Sequence, residues 1–197
     1  YGVFMLVFAL QFIFLYPNLV AMGDMVNSGN LDLLLTKPVN AQLILSFRRI
    51  SFEELGSIST AIALLGWLTF KGAIHLTPLS VALFLVAIVS SMLLIYCLFL
   101  LLMCLAVFLE RLDNMAQLMW SMFSLCRYPV DVYPARLRFM FFSFLPVAYI
   151  ASVPAAALLG TASAGQIMTG MIIALTATFA TTLLWRRTIR AYTSAGG

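Results

Sequence analysis

Apolar residues run through the chain in long uninterrupted stretches, and the polar positions gather in the gaps between them. Asp, Glu, Lys and Arg are absent from residues 1–23, 55–70, 76–109, 114–126 and 139–185. A helix crosses roughly 30 Å of hydrocarbon with about 20 apolar residues, so several of these stretches can span a bilayer. The run VALFLVAIVSSMLLIYCLFLLLMCLAVFL is apolar on every side, whereas a barrel strand alternates over about ten residues. In hydrocarbon every backbone N–H and C=O needs an internal partner. The fold class that follows is all-α, a polytopic transmembrane helical bundle.

The first span is expected over Tyr1 to Leu15, ending where Pro17 holds Tyr16 in extended geometry. Tyr1 already stands inside an apolar run, with neither the basic start nor the cleavage site of a signal peptide. An N-terminal part carrying at least one more span is therefore expected to be missing. Residues 24–51 mix apolar side chains with Asp24, Asp32, Lys37, Arg48 and Arg49, and break at Gly29 and Pro38. Such a segment is too polar to cross and too apolar to float free, so it belongs at the membrane surface or on a partner.

A second span is expected over Leu55 to Phe70 and a third over Leu79 to Leu109, which would reach about 46 Å and so must tilt or project. A fourth starts near Asn114 and meets CRYPVDVYP early. The uncharged run Phe139 to Trp185 has room for two helices with a break at GTASAG, 160–165. The first of these carries Pro146 and Pro154, a pattern that normally packs inside protein or dips in and returns. Five spans plus one re-entrant segment, 139–160, are expected.

Charge parity supports the re-entrant reading. With it, Lys37, Arg48, Arg49, Arg111, Arg186, Arg187 and Arg190 share one side, and Lys71, Arg127, Arg136 and Arg138 the other. The positive-inside rule makes the first group cytoplasmic. If 139–160 crosses instead, the three tail arginines move outside and the balance inverts.

Composition sharpens this picture. The chain of 197 residues is 63% hydrophobic and 9% charged, against roughly 25% charged in a soluble domain, and its mean hydropathy is +1.07. Its solvent is lipid. The net charge of +4 comes from residues scattered at span ends and forms no nucleic-acid patch. Cys97, Cys104 and Cys126 have no His or acidic neighbours at ligand spacing, and read as small packing residues. His75 reads as a surface turn residue.

The chain has no G-x-x-x-x-G-K-[ST] loop, H-E-x-x-H motif or G-x-S-x-G elbow. It therefore cannot hydrolyse ATP by the phosphate-loop device, and no catalytic, cofactor-binding or metal-binding residue is assigned. Proton- or sodium-driven transporters place ionisable groups mid-span, whereas the long runs here offer only neutral groups such as Gln11, Ser90 and Ser91. Gly170, Ala174, Thr178 and Thr182 put small side chains on one helix face, where internal packing is favoured over contact with a second subunit.

Three blocks resemble ABC-2-type permeases of one bacterial subfamily. Its loop pattern I-x-x-G-x-L-D-x-L-L-x-x-P-V is matched here by Gly29, Leu31, Asp32, Leu34, Pro38 and Val39. The segment YPVDVYPARLRFMFFSFLPVAYIASVPAAALL is similar to the subfamily's extracytoplasmic region. The tail WRRTIRAYTSAGG is similar to W-R-x-G-L-R-R-Y-S-S-A, with Thr188 in place of Gly and Ala191 in place of Arg.

The resemblance implies a single permease domain over 1–197, with 24–51 as cytoplasmic coupling segment and 127–160 as extracytoplasmic or re-entrant segment. It implies an exporter of the bacterial inner membrane, working as a dimer of identical or related permeases with a separate ATPase that binds the ATP and Mg. Gly29, Leu31, Asp32, Leu34, Leu35 and Pro38 then form the expected docking segment. Leu31, Leu34 and Leu35 share one face of a short helix as the buried contacts, and Asp32 is the polar anchor. The competing readings are a membrane scaffold that transports nothing and a secondary transporter.

Overall fold

The computed structural model describes residues 1–28, 30–37, 40–74, 76–109 and 147–191, together with Gln117, Trp120, Ser121, Ser124, Val132 and Pro134. Helix α1 (Gly2–Phe14) is followed at once by α2 (Tyr16–Asn27), and the short helices α3 (Asn30–Leu35) and α4 (Ala41–Phe47) come next. Then come α5 (Leu55–Phe70), α6 (Pro78–Leu109), α7 (Val147–Leu158) and α8 (Ala164–Ala191). The described residues contain no strand, and the protein is an all-α membrane helical bundle.

Among the described residues three helical stretches are long and apolar enough to cross a membrane, Gly2–Met22, Pro78–Leu105 and Ala164–Arg190, and Leu55–Phe70 is a shorter apolar helix. The expected fourth span lies mostly outside the described residues. Pro17 does not end the first span as anticipated. It falls in the opening turn of α2, where no N–H donor is needed, and the Leu15 amide still donates to Gln11 O at 2.8 Å. The chain therefore bends at Leu15 and continues as helix.

The other helix ends are closed by local chemistry. Thr77 and Ser80 cap α6 reciprocally, each amide donating to the other's hydroxyl at 2.9 and 3.1 Å, with Pro78 at the first helical position. At α8 the Ser163 amide donates to the Gln166 side-chain carbonyl at 3.0 Å and the Gln166 amide to the Ser163 hydroxyl at 3.2 Å. Gly160, at φ +70°, turns the chain out of α7. The break expected within 160–165 is thus made by one left-handed glycine followed by one capping pair.

Side-chain pairs give the helix directions. Ser90 meets Met171 at 3.6 Å and Cys97 meets Thr178 at 3.3 Å, and Cys104 bonds to Thr188. Partners advance together along both helices, so α6 and α8 run parallel. Helices α1 and α5 run antiparallel: Gly2 lies against Leu64 and Leu65, while Ser51 donates its amide to Ile13 O at 3.1 Å. Helix α7 begins beside Ser91, whose hydroxyl donates to Tyr149 O at 2.7 Å, and ends where Ala157 packs with Ala87 and Ile167.

The main core gathers Val7, Leu19, Met22, Ile95, Phe99 and Met103 from α1, α2 and α6. Helix α8 lies on the perimeter: 22% of its most apolar window is buried, against 44% for the other two candidate spans. Its outward Ile172, Leu175 and Phe179 are side chains that lipid would cover.

Candidate functional site

Beyond Met22 the end of α2 and the short helices α3 and α4 lie together at one end of the bundle, and three devices tie them down. The first is α3. Leu31 is fully buried and Leu34 nearly so, both inside the main core, with Leu35 packed against it, whereas Leu33 is 65% exposed. The expected face of Leu31, Leu34 and Leu35 exists, but it seats α3 on its own chain. In the chain by itself, Leu33 is therefore the leucine that α3 exposes, while Leu31 and Leu34 pack inward. Gly29, Pro38 and the side chain of Asp32 lie outside the described residues.

The second device is Asn18, only 1% exposed. Its amide donates to Phe14 O at 2.7 Å and to Arg49 O at 2.8 Å, and its carbonyl accepts the Arg49 N–H at 2.8 Å. A single side chain thereby satisfies both backbone groups of Arg49 and pins the linker between α4 and α5 to the bend between α1 and α2.

The third device begins at the Asn40 cap, whose carbonyl accepts the amides of Gln42 and Leu43 at 3.1 and 3.4 Å and starts α4. Gln42 Nε2 donates to Tyr96 Oη at 3.0 Å on α6 and to Thr182 Oγ1 at 3.1 Å on α8. Ser46 Oγ lies 2.9 Å from Tyr96 Oη and donates to Gln42 O at 2.7 Å. Four side chains from three helices form one closed polar cluster. In low-dielectric surroundings such bonds are strong and costly to lose.

Between α2, α3 and the linker a groove of about 340 Å³ is lined by Asp24, Ser28, Asn30, Leu33, Lys37 and Arg48 among others. The bond from Gln42 to Thr182 places the last third of α8 beside α4, so Arg186, Arg187 and Arg190 share this end with Lys37, Arg48 and Arg49. Lys71 follows α5 at the opposite end. Arg111, Arg127, Arg136 and Arg138 lie outside the described residues.

Comparison with known protein families then decides the class. The family model described as ABC-2 family transporter protein matches residues 1–196. The chain belongs to the ABC-2 transporter family. It is a membrane permease of an ABC transporter, a class of transmembrane subunit that associates with an ABC ATPase. No curated protein and no solved structure matches it.

Within the permease the small-residue stripe of α8 faces its own chain. Gly170 receives the ring of Tyr149, which stands where a Cβ would be, while Tyr149 Oη donates to Gln166 O at 2.7 Å. Ala174 is fully buried, Thr178 meets Cys97, and Thr182 meets Gln42. Cys97 and Cys104 are buried free thiols, and Cys126 lies outside the described residues, as does His75. Among the described residues no three His, Cys, Asp or Glu side chains gather as a metal site would require.

Sequence reasoning missed Asn18, Gln42 and Tyr96. The available signal was a lone amide or hydroxyl in an apolar setting, as in YPNLV and AQLIL. It did single out Gln11, which is 1% exposed, with both polar side-chain atoms lacking a hydrogen-bond partner among the described residues.

Proposed function

We propose that this permease is the membrane half of an ATP-driven exporter of the bacterial inner membrane. It works as a dimer, of identical or related permeases, and docks a separate ATPase on the layer formed by α2, α3 and α4. The observation that supports this reading is the Gln42–Tyr96–Ser46–Thr182 cluster, because it joins a surface helix to two spans. A push on α4 would be carried into the packing of α6 against α8, the kind of two-state rearrangement that alternating access needs. ATP and Mg belong to the partner, since this chain has no phosphate loop.

Leu33 is an exposed apolar side chain in the groove that also holds Lys37 and Arg48, and Leu43 of α4 is exposed as well. They offer the mix of apolar anchor and cationic rim that suits a protein partner. The purified permease is expected to show no ATP hydrolysis alone, and to stimulate it when combined with its separate ABC ATPase. Hydrolysis by the clean permease, or a complex lacking stimulation, would count against this reading; in the second case a scaffold role is favoured.

The same reading places the layer and the carboxyl terminus in the cytoplasm, where the positive-inside rule collects basic residues. Helices α6 and α8 run parallel, so the chain between them must return to the end where α6 began. Single cysteines at Asn27 and Ser194, in a background without the native thiols, are expected to resist an impermeant reagent in intact cells. Labelling at either site overturns the topology.

A further inference from the structure

Helix α1 carries one buried stripe at i, i+4 spacing: Val3, Val7, Gln11 and Leu15, none more than 5% exposed. The three apolar members belong to the main core, with Ile95 and Phe99 of α6. The fourth is a carboxamide near the middle of the stretch Gly2–Met22, at a depth where lipid offers a polar group no solvent. Its oxygen and its nitrogen both lack a hydrogen-bond partner among the described residues, and both are covered by the chain itself. No further segment or partner reaches them while this packing holds.

Elsewhere the fold leaves no such group. Every other buried polar side chain among the described residues is bonded: Asn18 three times, Ser46, Ser80, Ser90 and Ser91 at least once each, and Thr181 and Thr188 to carbonyls one turn back. A buried carboxamide without partners lowers stability, and an apolar side chain of the same shape in its place would not. A single exception in an otherwise satisfied fold points to a role outside this packing.

Its position supplies that role. The Leu15 amide donates to Gln11 O at 2.8 Å, so Gln11 holds the bond at the bend between α1 and α2. On the far side of the bend Asn18 ties α2 to the backbone of Arg49. A displacement of α2 would enter α1 within one turn of Gln11, and a tilt of α1 there would move the Gln11 side chain against α5, α6 and α7, the helices packed on it.

We propose that Gln11 is a conformational switch residue: its carboxamide is unpaired in this packing and hydrogen-bonded in the packing adopted when the ATPase closes, so that it biases the permease toward the second. The second packing rests on the exporter reading, whereas the unpaired amide does not.

The test uses the full permease in detergent, alone and in complex with a cysteine-free, hydrolysis-deficient ABC ATPase held with ATP and Mg. Thermal exposure of the buried Cys97 and Cys104 thiols to a fluorogenic maleimide, in a Cys126→Ser background, gives the Tm of the permease in each state. Gln11→Met keeps an unbranched shape, Gln11→Leu supplies a second apolar fit, and both remove the amide. In the permease alone Gln11→Met is expected to raise Tm by about 2–6 °C. In the ATP-held complex it is expected to lower Tm, a reversal of sign that a purely structural residue does not give. No rise in the permease alone with either substitution shows that the amide is already bonded in this packing, and no fall in the ATP-held complex shows that it gains no partner there; either result overturns the proposal. A wild-type permease that forms no complex with the ATPase sinks the exporter reading and the second packing with it, while the permease alone still reports whether the amide is unpaired.

Discussion

Leu31→Ala is expected to lower the stability of the permease by about 2–5 kcal/mol, the cost of emptying a fully packed leucine site, whereas Leu33→Ala leaves it within about 0.5 kcal/mol of wild type. The contrast follows from their positions on one short helix: Leu31 is fully buried and Leu33 is 65% exposed. Retention of the ATPase is expected to behave in the opposite sense. Leu33→Ala removes the apolar side chain that α3 presents outward, and an interface leucine of this kind carries on the order of 1–3 kcal/mol, or about tenfold in affinity. Thermal unfolding followed by tryptophan fluorescence in detergent, paired with co-purification of the ATPase, reads both quantities. A Leu33→Ala permease that binds its ATPase at full strength would move the docking surface away from α3. A Leu31→Ala permease as stable as wild type would contradict the burial of that residue.

Asn18→Ala is expected to have an effect of comparable size for a different reason. The substitution strips three hydrogen bonds at once, and two of them satisfy the N–H and C=O of Arg49. Each buried backbone group left unpaired costs about 1–3 kcal/mol, so a total loss of about 2–5 kcal/mol is expected. Asn18→Asp separates the components: it keeps an acceptor for the Arg49 N–H but loses both donations and introduces a charge. Hydrogen exchange at Arg49 and Ser51 is expected to accelerate in both variants, because the linker is released from the bend between α1 and α2. If exchange there is unchanged, the clamp is not what holds the linker.

How much of this was legible in the chain depends on whether the information was local. The helical class and the break at 160–165 follow from hydrophobic runs and from local capping chemistry. A backbone in hydrocarbon has few options, and a capping pair such as Ser163 with Gln166 acts within one turn. The spacing of Leu31, Leu34 and Leu35 correctly placed three leucines on one side of a helix. It carried no information about what that side faces, because an apolar face looks the same whether it meets a partner or its own core.

The bend at Leu15 shows the same limit at the backbone level. Pro17 marks a helix boundary, and the sequence alone does not distinguish a stop from the start of a new helix that continues the old one. Tertiary contacts made the choice: Asn18 joins α2 to the linker, and Leu19 and Met22 enter the core. The Gln42 cluster was out of reach for a related reason. Gln42 is separated from Tyr96 by 54 residues and from Thr182 by 140, and no local rule pairs groups that far apart.

By itself the sequence determined the solvent of this protein, its helical class, the bounds of α5 and α6 to within a residue and, through the three resembling blocks, its family. Those properties follow from composition, from periodicity and from interactions within one or two helical turns. Only the tertiary structure decided that α6 and α8 run parallel, that α3 turns its leucines inward, that Tyr149 occupies the space over Gly170, and that a surface helix is bonded to two spans. Each of these depends on which residues distant in the chain are brought into contact, and that is settled by the mutual fit of the folded helices.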